Sequence, residues 1–178
     1  GEDAAESAGR DIRVGQLITA MRHADRSLEI AELAVQWRGR GVVGFDIAGA
    51  EDGFPPSKHR EAFDFLASRF FPTTVHAGEA AGLDSIRSAL IDGRALRLGH
   101  GVRLAEDLRV VSREGDEVQV QFGELARWVR DREIPLELSP SSNLQTGAIA
   151  QWGEEIEDHP FDLLYQLGFA VTVNVDNR

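Results

Sequence analysis

The sequence has no cysteine among its 178 residues. Disulfides and thiolate chemistry are therefore excluded, and any metal site must be built from His, Asp and Glu. No apolar run approaches the ~18 residues that a membrane-spanning helix needs. Residues 1–9 are acidic and small, without the basic start and apolar stretch of a secretory signal. Clusters of Lys and Arg are also missing. The formal net charge of −11 is the wrong sign for a broad phosphate-binding surface, so no nucleic-acid or membrane partner is expected. A small, neutral nucleoside is not excluded by that charge. Neither a GxGxxG turn nor a Walker loop occurs, and there is no internal repeat, low-complexity tract or evident domain boundary. The hydrophobic fraction of 42% is ordinary for a globular chain. One soluble, cytoplasmic domain over residues 1–178 is the expectation.

What is present is alternation. Residues 12–20, 42–47, 73–77, 97–98, 134–138 and 170–174 read as short apolar strands. Between them, residues 28–37, 58–70, 83–91, 122–133 and 160–167 carry apolar side chains at helical spacing. Residues 110–120 read as a polar insertion, a hairpin turned at Gly115 and Asp116. Strands alternating with helices imply parallel strands joined by helical crossovers. An open doubly wound sheet and part of a (β/α)₈ barrel both satisfy the pattern.

The unusual residues fall at strand ends. Asp46, His76, His100, Ser139 and Asp176 all lie at or just past the C-terminal end of a predicted strand. In a barrel these ends converge on one face, whereas in an open sheet they spread apart, so the collection favours a TIM-type barrel. His76 offers an imidazole nitrogen to a metal, and Gly78 allows a tight turn. Glu79 follows as a carboxyl that, partly desolvated, can hold a proton and act as a general acid. The plain alternative is a strand-ending His beside a solvated Glu. His100, between Gly99 and Gly101, reads as a group that orients water or as a turn His bonded to a carbonyl. Asp176 reads as a metal ligand or a loop cap. Asp46 interrupts an apolar strand, needs hydrogen-bonding partners, and reads as a support rather than a ligand. His23 reads as structural, His59 as solvated in a charged helix start, and His159 as a residue at the start of a helix. The acidic run 154–158 reads as an exposed face.

Six stretches, in order, carry a resemblance. They are Gly44-Phe45-Asp46-Ile47-Ala48-Gly49-Ala50-Glu51, His76-Ala77-Gly78-Glu79, Leu98-Gly99-His100-Gly101, Leu136-Glu137-Leu138-Ser139-Pro140-Ser141-Ser142-Asn143, His159-Pro160-Phe161, and Val171-Thr172-Val173-Asn174-Val175-Asp176-Asn177. Together they resemble the adenosine deaminase family over nearly the whole chain. The resemblance implies a zinc-dependent deaminase that converts adenosine and 2'-deoxyadenosine to inosine and ammonia. It implies His76 and Asp176 as zinc ligands and Glu79 as the proton donor to N1 of the purine. It implies His100 as the group that orients the attacking water and stabilises charge, with Asp176 helping to deprotonate that water. Gly49 would present a backbone amide to the purine, and Asn177 would face the base. The cysteine-ligated deaminase site is a different type and is excluded.

The chain departs from the family pattern in three places. The family's first strand carries a His-x-His pair, and no such pair occurs here. That leaves about six of eight barrel strands, against the roughly 250 residues of a typical barrel. Ser139 stands where the family usually has Cys, and Val175 where it usually has Thr. The expectation is an incomplete domain, inactive alone, that needs its N-terminal segment or self-association. Other readings are a related aminopurine deaminase acting on adenine or a modified adenosine, a non-catalytic half-barrel module, and a plain α/β scaffold.

Overall fold

The computed structural model describes residues 1–115 and 117–176. A short helix α1 (Glu2–Ser7) leads to β1 (Gln16–Met21), α2 (Ser27–Gln36), β2 (Val42–Ala48), α3 (Arg60–Ser68), β3 (Thr73–Ala77), α4 (Leu83–Ile91) and β4 (Arg97–His100). A hairpin of β5 (Leu108–Glu114) and β6 (Glu117–Phe122) intervenes. Then follow α5 (Glu124–Asp131), β7 (Leu136–Leu138), α6 (Pro140–Gln145), α7 (Phe161–Gln166) and β8 (Val171–Val173). The main sheet has six strands in the order β1-β2-β3-β4-β7-β8, and every pairing is parallel. Strands adjacent in the sheet follow one another along the chain, apart from the hairpin. This is the arrangement of a (β/α)₈ TIM-type barrel in which six strands are present.

Period-two alternation decides what each face carries. Phe45, Ile47, Val75, Leu98, Leu136 and Leu138 are fully buried beneath the helices, against Ala31, Ala34, Phe63, Leu66, Ile86 and Val129. Phe45 and Phe63 meet edge-to-face, with ring centres 6.1 Å apart. The alternate positions Asp46, Thr74, His76 and Glu137 leave the helix-packed core, and Arg97 pairs with Glu137 at 2.7 Å. The strand that joins the two faces is thus hydrophobic on one side and chemical on the other. β1 and β8 end the sheet, and among the described residues their outer edges have no partner strand. Leu17 on β1 and Val173 on β8 are exposed there. No helix among the described residues is long and apolar enough to cross a membrane.

Several expectations are refined. The strand predicted from Ile12 begins at Gln16, and Ile12 and Val14 are exposed; β-branched residues form a strand only where a ladder receives them. The helix predicted over 58–70 divides into a 3₁₀ turn at Pro56–His59 and α3. That turn overturns the reading of His59 as solvated. It is buried, and its Nε2 lies 2.8 Å from the Arg22 carbonyl, because Pro55-Pro56 turns the chain back under the end of β1. Helix α6, polar and Pro-led, has no periodic apolar signal and was not expected. The insertion forms the expected hairpin with Gly115 at its turn, whereas Asp116 lies outside the described residues.

Phe45→Ala removes a fully buried ring from β2. It is expected to lower the unfolding free energy by about 3–5 kcal/mol in denaturant titration. A loss under about 1 kcal/mol would mean that this core is not packed as described.

Candidate active site

The parallel ladder brings the C-terminal ends of β2, β3 and β4 to one rim, where a cavity of roughly 530 Å³ opens. That volume accommodates a nucleoside-sized ligand. Asp46, Gly49, His76, Glu79, His100 and Asp176, all singled out in the sequence, line it together.

His76 is fixed by two neighbours. Its Nδ1 lies 3.1 and 3.0 Å from the two carboxylate oxygens of Asp46, which leaves Nε2 as the nitrogen open to a ligand. On the next strand the register places Gly99 beside it. A Cβ at Gly99 would come within 2.7 Å of His76 Nδ1, so only glycine leaves space for the ring. Burial opposes charge on His76, but the hydrogen bond and charge of Asp46, with Asp176 and Glu79, hold its pKa above the ordinary histidine value. Burial raises the Asp46 pKa despite its bond to His76.

His100 ends β4 with a left-handed backbone, φ 62°, and Asp176 follows β8 with φ 61°. Such strain in non-glycine residues costs about 1–3 kcal/mol each and persists where surrounding structure imposes it. His100 Nε2 lies 3.4 Å from Glu79 and 3.9 Å from Asp176, and its ring stands edge-on to His76 at 5.3 Å. Burial lowers its pKa, outweighing the attraction of Glu79 and Asp176, and nearby His76 adds to the lowering. Donor atoms of Glu79, His100 and Asp176 lie within 4.8 Å of one another, a spacing able to hold a metal ion.

The remaining candidates fall outside this cluster. Ser139 is buried and accepts the Asn143 N–H on its carbonyl at 2.8 Å, at the start of α6. His23 packs against Phe54, 6.3 Å between ring centres, and lines an adjacent cavity. Asn177 lies outside the described residues.

Four further residues, to which the sequence assigned no role, bear on the site. Glu51 is buried, and its carboxylate accepts the backbone N–H groups of Gly78, Glu79, Ala80 and Ala81 at 2.6–3.1 Å, with the Ser85 hydroxyl. These consecutive amides form an anion-binding nest, and Glu51 fills it from the β2 side, which fixes the loop bearing Glu79. Arg22, almost completely buried, donates to the Phe54 and His76 carbonyls at 2.8 and 2.7 Å and braces the end of β3. Thr146 donates its hydroxyl to Glu79 at 3.0 Å. Asn143 joins His100 to His159. In the sequence, Glu51 and Asn143 stand at the ends of two of the stretches that carry the family resemblance. All four act through contacts between segments far apart in the chain.

A barrel-type sheet gathers histidines and carboxylates at its strand ends around a nucleoside-sized cavity, a donor set that can hold a metal ion. The chain belongs to the adenosine deaminase family: the family model described as "Adenosine deaminase" matches residues 1–178. It is 56% identical to an adenosine deaminase of Mycobacterium avium over all 178 residues, which make up 48% of that protein. It is 57% identical to one from Mycobacterium sp. strain KMS, covering 47% of it. The chain thus spans about half the length of the curated relatives it matches. Among solved structures, an adenine deaminase from Arthrobacter aurescens superposes with a TM-score of 0.74 at 24% identity, over 97% of this chain and 47% of that one. An amidohydrolase from Burkholderia ambifaria with bound Zn gives 0.70 at 24% identity, over 98% and 44%. Arabidopsis ADAL complexed with IMP gives 0.71 at 23%, over 93% and 43%. At these identities the structures establish the fold.

Two outcomes are expected. Glu51→Ala leaves four amides without their acceptor and should lower the unfolding free energy by about 2–5 kcal/mol, with added formate restoring part of the loss. An unchanged melt would show that the nest is solvated without Glu51. Burial lowers the pKa of His159 to about 4. The unfolded chain, with histidine near 6.5, then binds its proton first on acidification. Unfolding free energy should be full above about pH 6.5 and fall between about 6.5 and 4, with a smaller fall in His159→Gln. Equal slopes for the two proteins in denaturant titrations across that range would refute this.

Proposed function

We propose that the intact protein is a zinc-dependent deaminase converting adenosine and 2'-deoxyadenosine to inosine and ammonia, and that residues 1–178 are one incomplete barrel domain of it. The single observation that carries the reading is the convergence of His76, Glu79, His100 and Asp176 on one cavity, with His76 held by Asp46. The donors are imidazole and carboxylate without sulfur, which fits zinc. His76 Nε2 and the Asp176 carboxylate would hold the ion, the remaining ligands coming from outside this chain. When bound, zinc supplies a Lewis acid that makes water a nucleophile at neutral pH.

The chain's own residues then divide the work. Glu79, steadied by Thr146, donates a proton to N1 of the purine, which makes C6 electrophilic. Asp176 accepts a proton from the attacking water and passes it to the amino nitrogen, so that the C6–N bond breaks and ammonia leaves, while Glu79 regains a proton from the new hydroxyl at C6. His100, between Glu79 and Asp176, stabilises the negative charge that develops on the oxygen joined to C6. Gly49, with φ 96° at the cavity wall, presents its backbone amide to the base. Similarity to an adenine deaminase favours a test of a second substrate class, free aminopurines.

The test is made on the intact protein, with zinc content and turnover of adenosine, 2'-deoxyadenosine, adenine and N6-methyl-AMP measured on one preparation. Adenosine should be the preferred substrate. His76→Ala and Asp176→Ala should lose both zinc and activity. Glu79→Gln should keep zinc and lose about 10²–10⁴-fold in kcat. Preference for adenine would replace the nucleoside reading, and no turnover of any of the four would remove the deaminase reading. Turnover by the 178-residue chain alone would overturn the incomplete-domain proposal.

A further inference from the structure

A chain of hydrogen bonds, part-buried at its first link and buried at the next two, runs from the start of α7 to the cavity, and its direction is set by one group that cannot be reversed. The backbone N–H of Phe161 lies 3.0 Å from His159 Nδ1. A backbone amide only donates, so His159 Nδ1 accepts and the ring of a neutral His159 carries its proton on Nε2. That Nε2 lies 3.2 Å from the Asn143 side chain, which must therefore present its oxygen. The amide nitrogen of Asn143 is then left for His100 Nδ1, at 2.9 Å, and His100 Nδ1 must accept. The His100 proton consequently sits on Nε2, the nitrogen facing Glu79 and Asp176. The polarity of each link follows from the one before it, so the orientation of the Asn143 amide and both ring tautomers are fixed together.

We propose that Asn143 and His159 are positioning residues that hold His100 as its Nε2–H tautomer, a hydrogen-bond donor to the reacting groups. The surroundings support the assignment. Asn143 is completely buried, and its backbone is tied at both ends, N–H to the Ser139 carbonyl at 2.8 Å and C=O from Ala148 N–H at 2.9 Å. The amide thus has no freedom to swing away. His159 is buried as well, with its pKa lowered to about 4 by burial, so it is neutral at pH 7, as acceptance from Phe161 requires.

The consequence reaches the metal question. Of the spatial group Glu79, His100 and Asp176, His100 has Nδ1 engaged by Asn143 and Nε2 occupied by its proton. It therefore has no lone pair for an ion, and His76, whose Nε2 is open, is the histidine that ligates. His100 cannot take a proton from water through Nε2, which leaves that step to a carboxylate. The tautomer stands independently of the deaminase reading; its effect on turnover rests on that reading.

The experiment is a two-bond ¹H–¹⁵N spectrum of the intact, zinc-loaded protein labelled with ¹⁵N-histidine, His100 being assigned by comparison with His100→Gln. The expected result is an unprotonated Nδ1 and a protonated Nε2 on His100. Asn143→Asp places an acceptor-only group of the same shape against both rings, so the proton should move to Nδ1 and the two resonances should exchange character. Its kcat should fall about tenfold or more, as when a catalytic histidine is held in the wrong tautomer, with KM changed less. His159→Gln, which still donates to Asn143, should keep the tautomer, and His159→Leu should give a mixture. A protonated Nδ1 in the unaltered protein overturns the proposal, and that spectrum decides the matter even where a variant fails to fold. An Asn143→Asp protein with an unchanged tautomer also overturns it. The expected spectrum from a protein that turns over no aminopurine would sustain the proposal and sink the deaminase reading instead.

Discussion

The register between β3 and β4 sets His76 directly beside Gly99, and much of the site depends on that adjacency. The imidazole occupies space that any side chain at position 99 would fill, and it is pressed towards Asp46 on the strand at its other side. A slip of one residue would turn His76 into the helix-packed core and Val75 into the cavity, because strand side chains alternate. The hydrophobic face prevents the slip: Val75, Leu98 and Leu136 are completely buried, and moving them to solvent would cost about 1.5–3 kcal/mol each. Packing on one face of the sheet therefore fixes the chemistry on the other.

Around this register the polar groups are arranged in braces that come from different segments. Asp46 orients His76, Arg22 holds the carbonyl of the same residue, and Glu51 gathers the amides of the loop that carries Glu79. Asn143 and His159 approach His100 from behind. Each brace satisfies a buried group that would otherwise cost about 1–3 kcal/mol, so the same bonds that aim the side chains keep the fold stable. Among the described non-glycine residues, five take a left-handed backbone; His100 and Asp176 do so at the cavity, and Phe70, Arg94 and Glu133 do so away from it.

The apolar alternation of residues 42–47 and 73–77 made β2 and β3 legible, since both strands pack one face on helices. The strand ends at His76, His100 and Asp176 were legible for the same reason: each interrupts or closes an apolar run. Helix α6 was not, because Pro140-Ser141-Ser142-Asn143 carries no apolar period and is held by contacts to Ser139 and His100 rather than by propensity. His59 was misread as solvated because its charged neighbours in sequence are not its neighbours in space; it bonds the carbonyl of Arg22.

The sequence by itself determined the parallel α/β alternation, the candidate residues at the strand ends and the family to which the chain belongs. Those depend on local periodicity and on the order of short motifs, both of which survive in one dimension. Only the tertiary structure decided which atom of each residue faces the cavity. The role of Glu51, the pairing of Asp46 with His76 Nδ1 and the proton position on His100 depend on groups 27–43 positions apart in the chain, brought within about 3 Å by strand register. Hydrogen-bond polarity is a property of such contacts, and no single segment contains it.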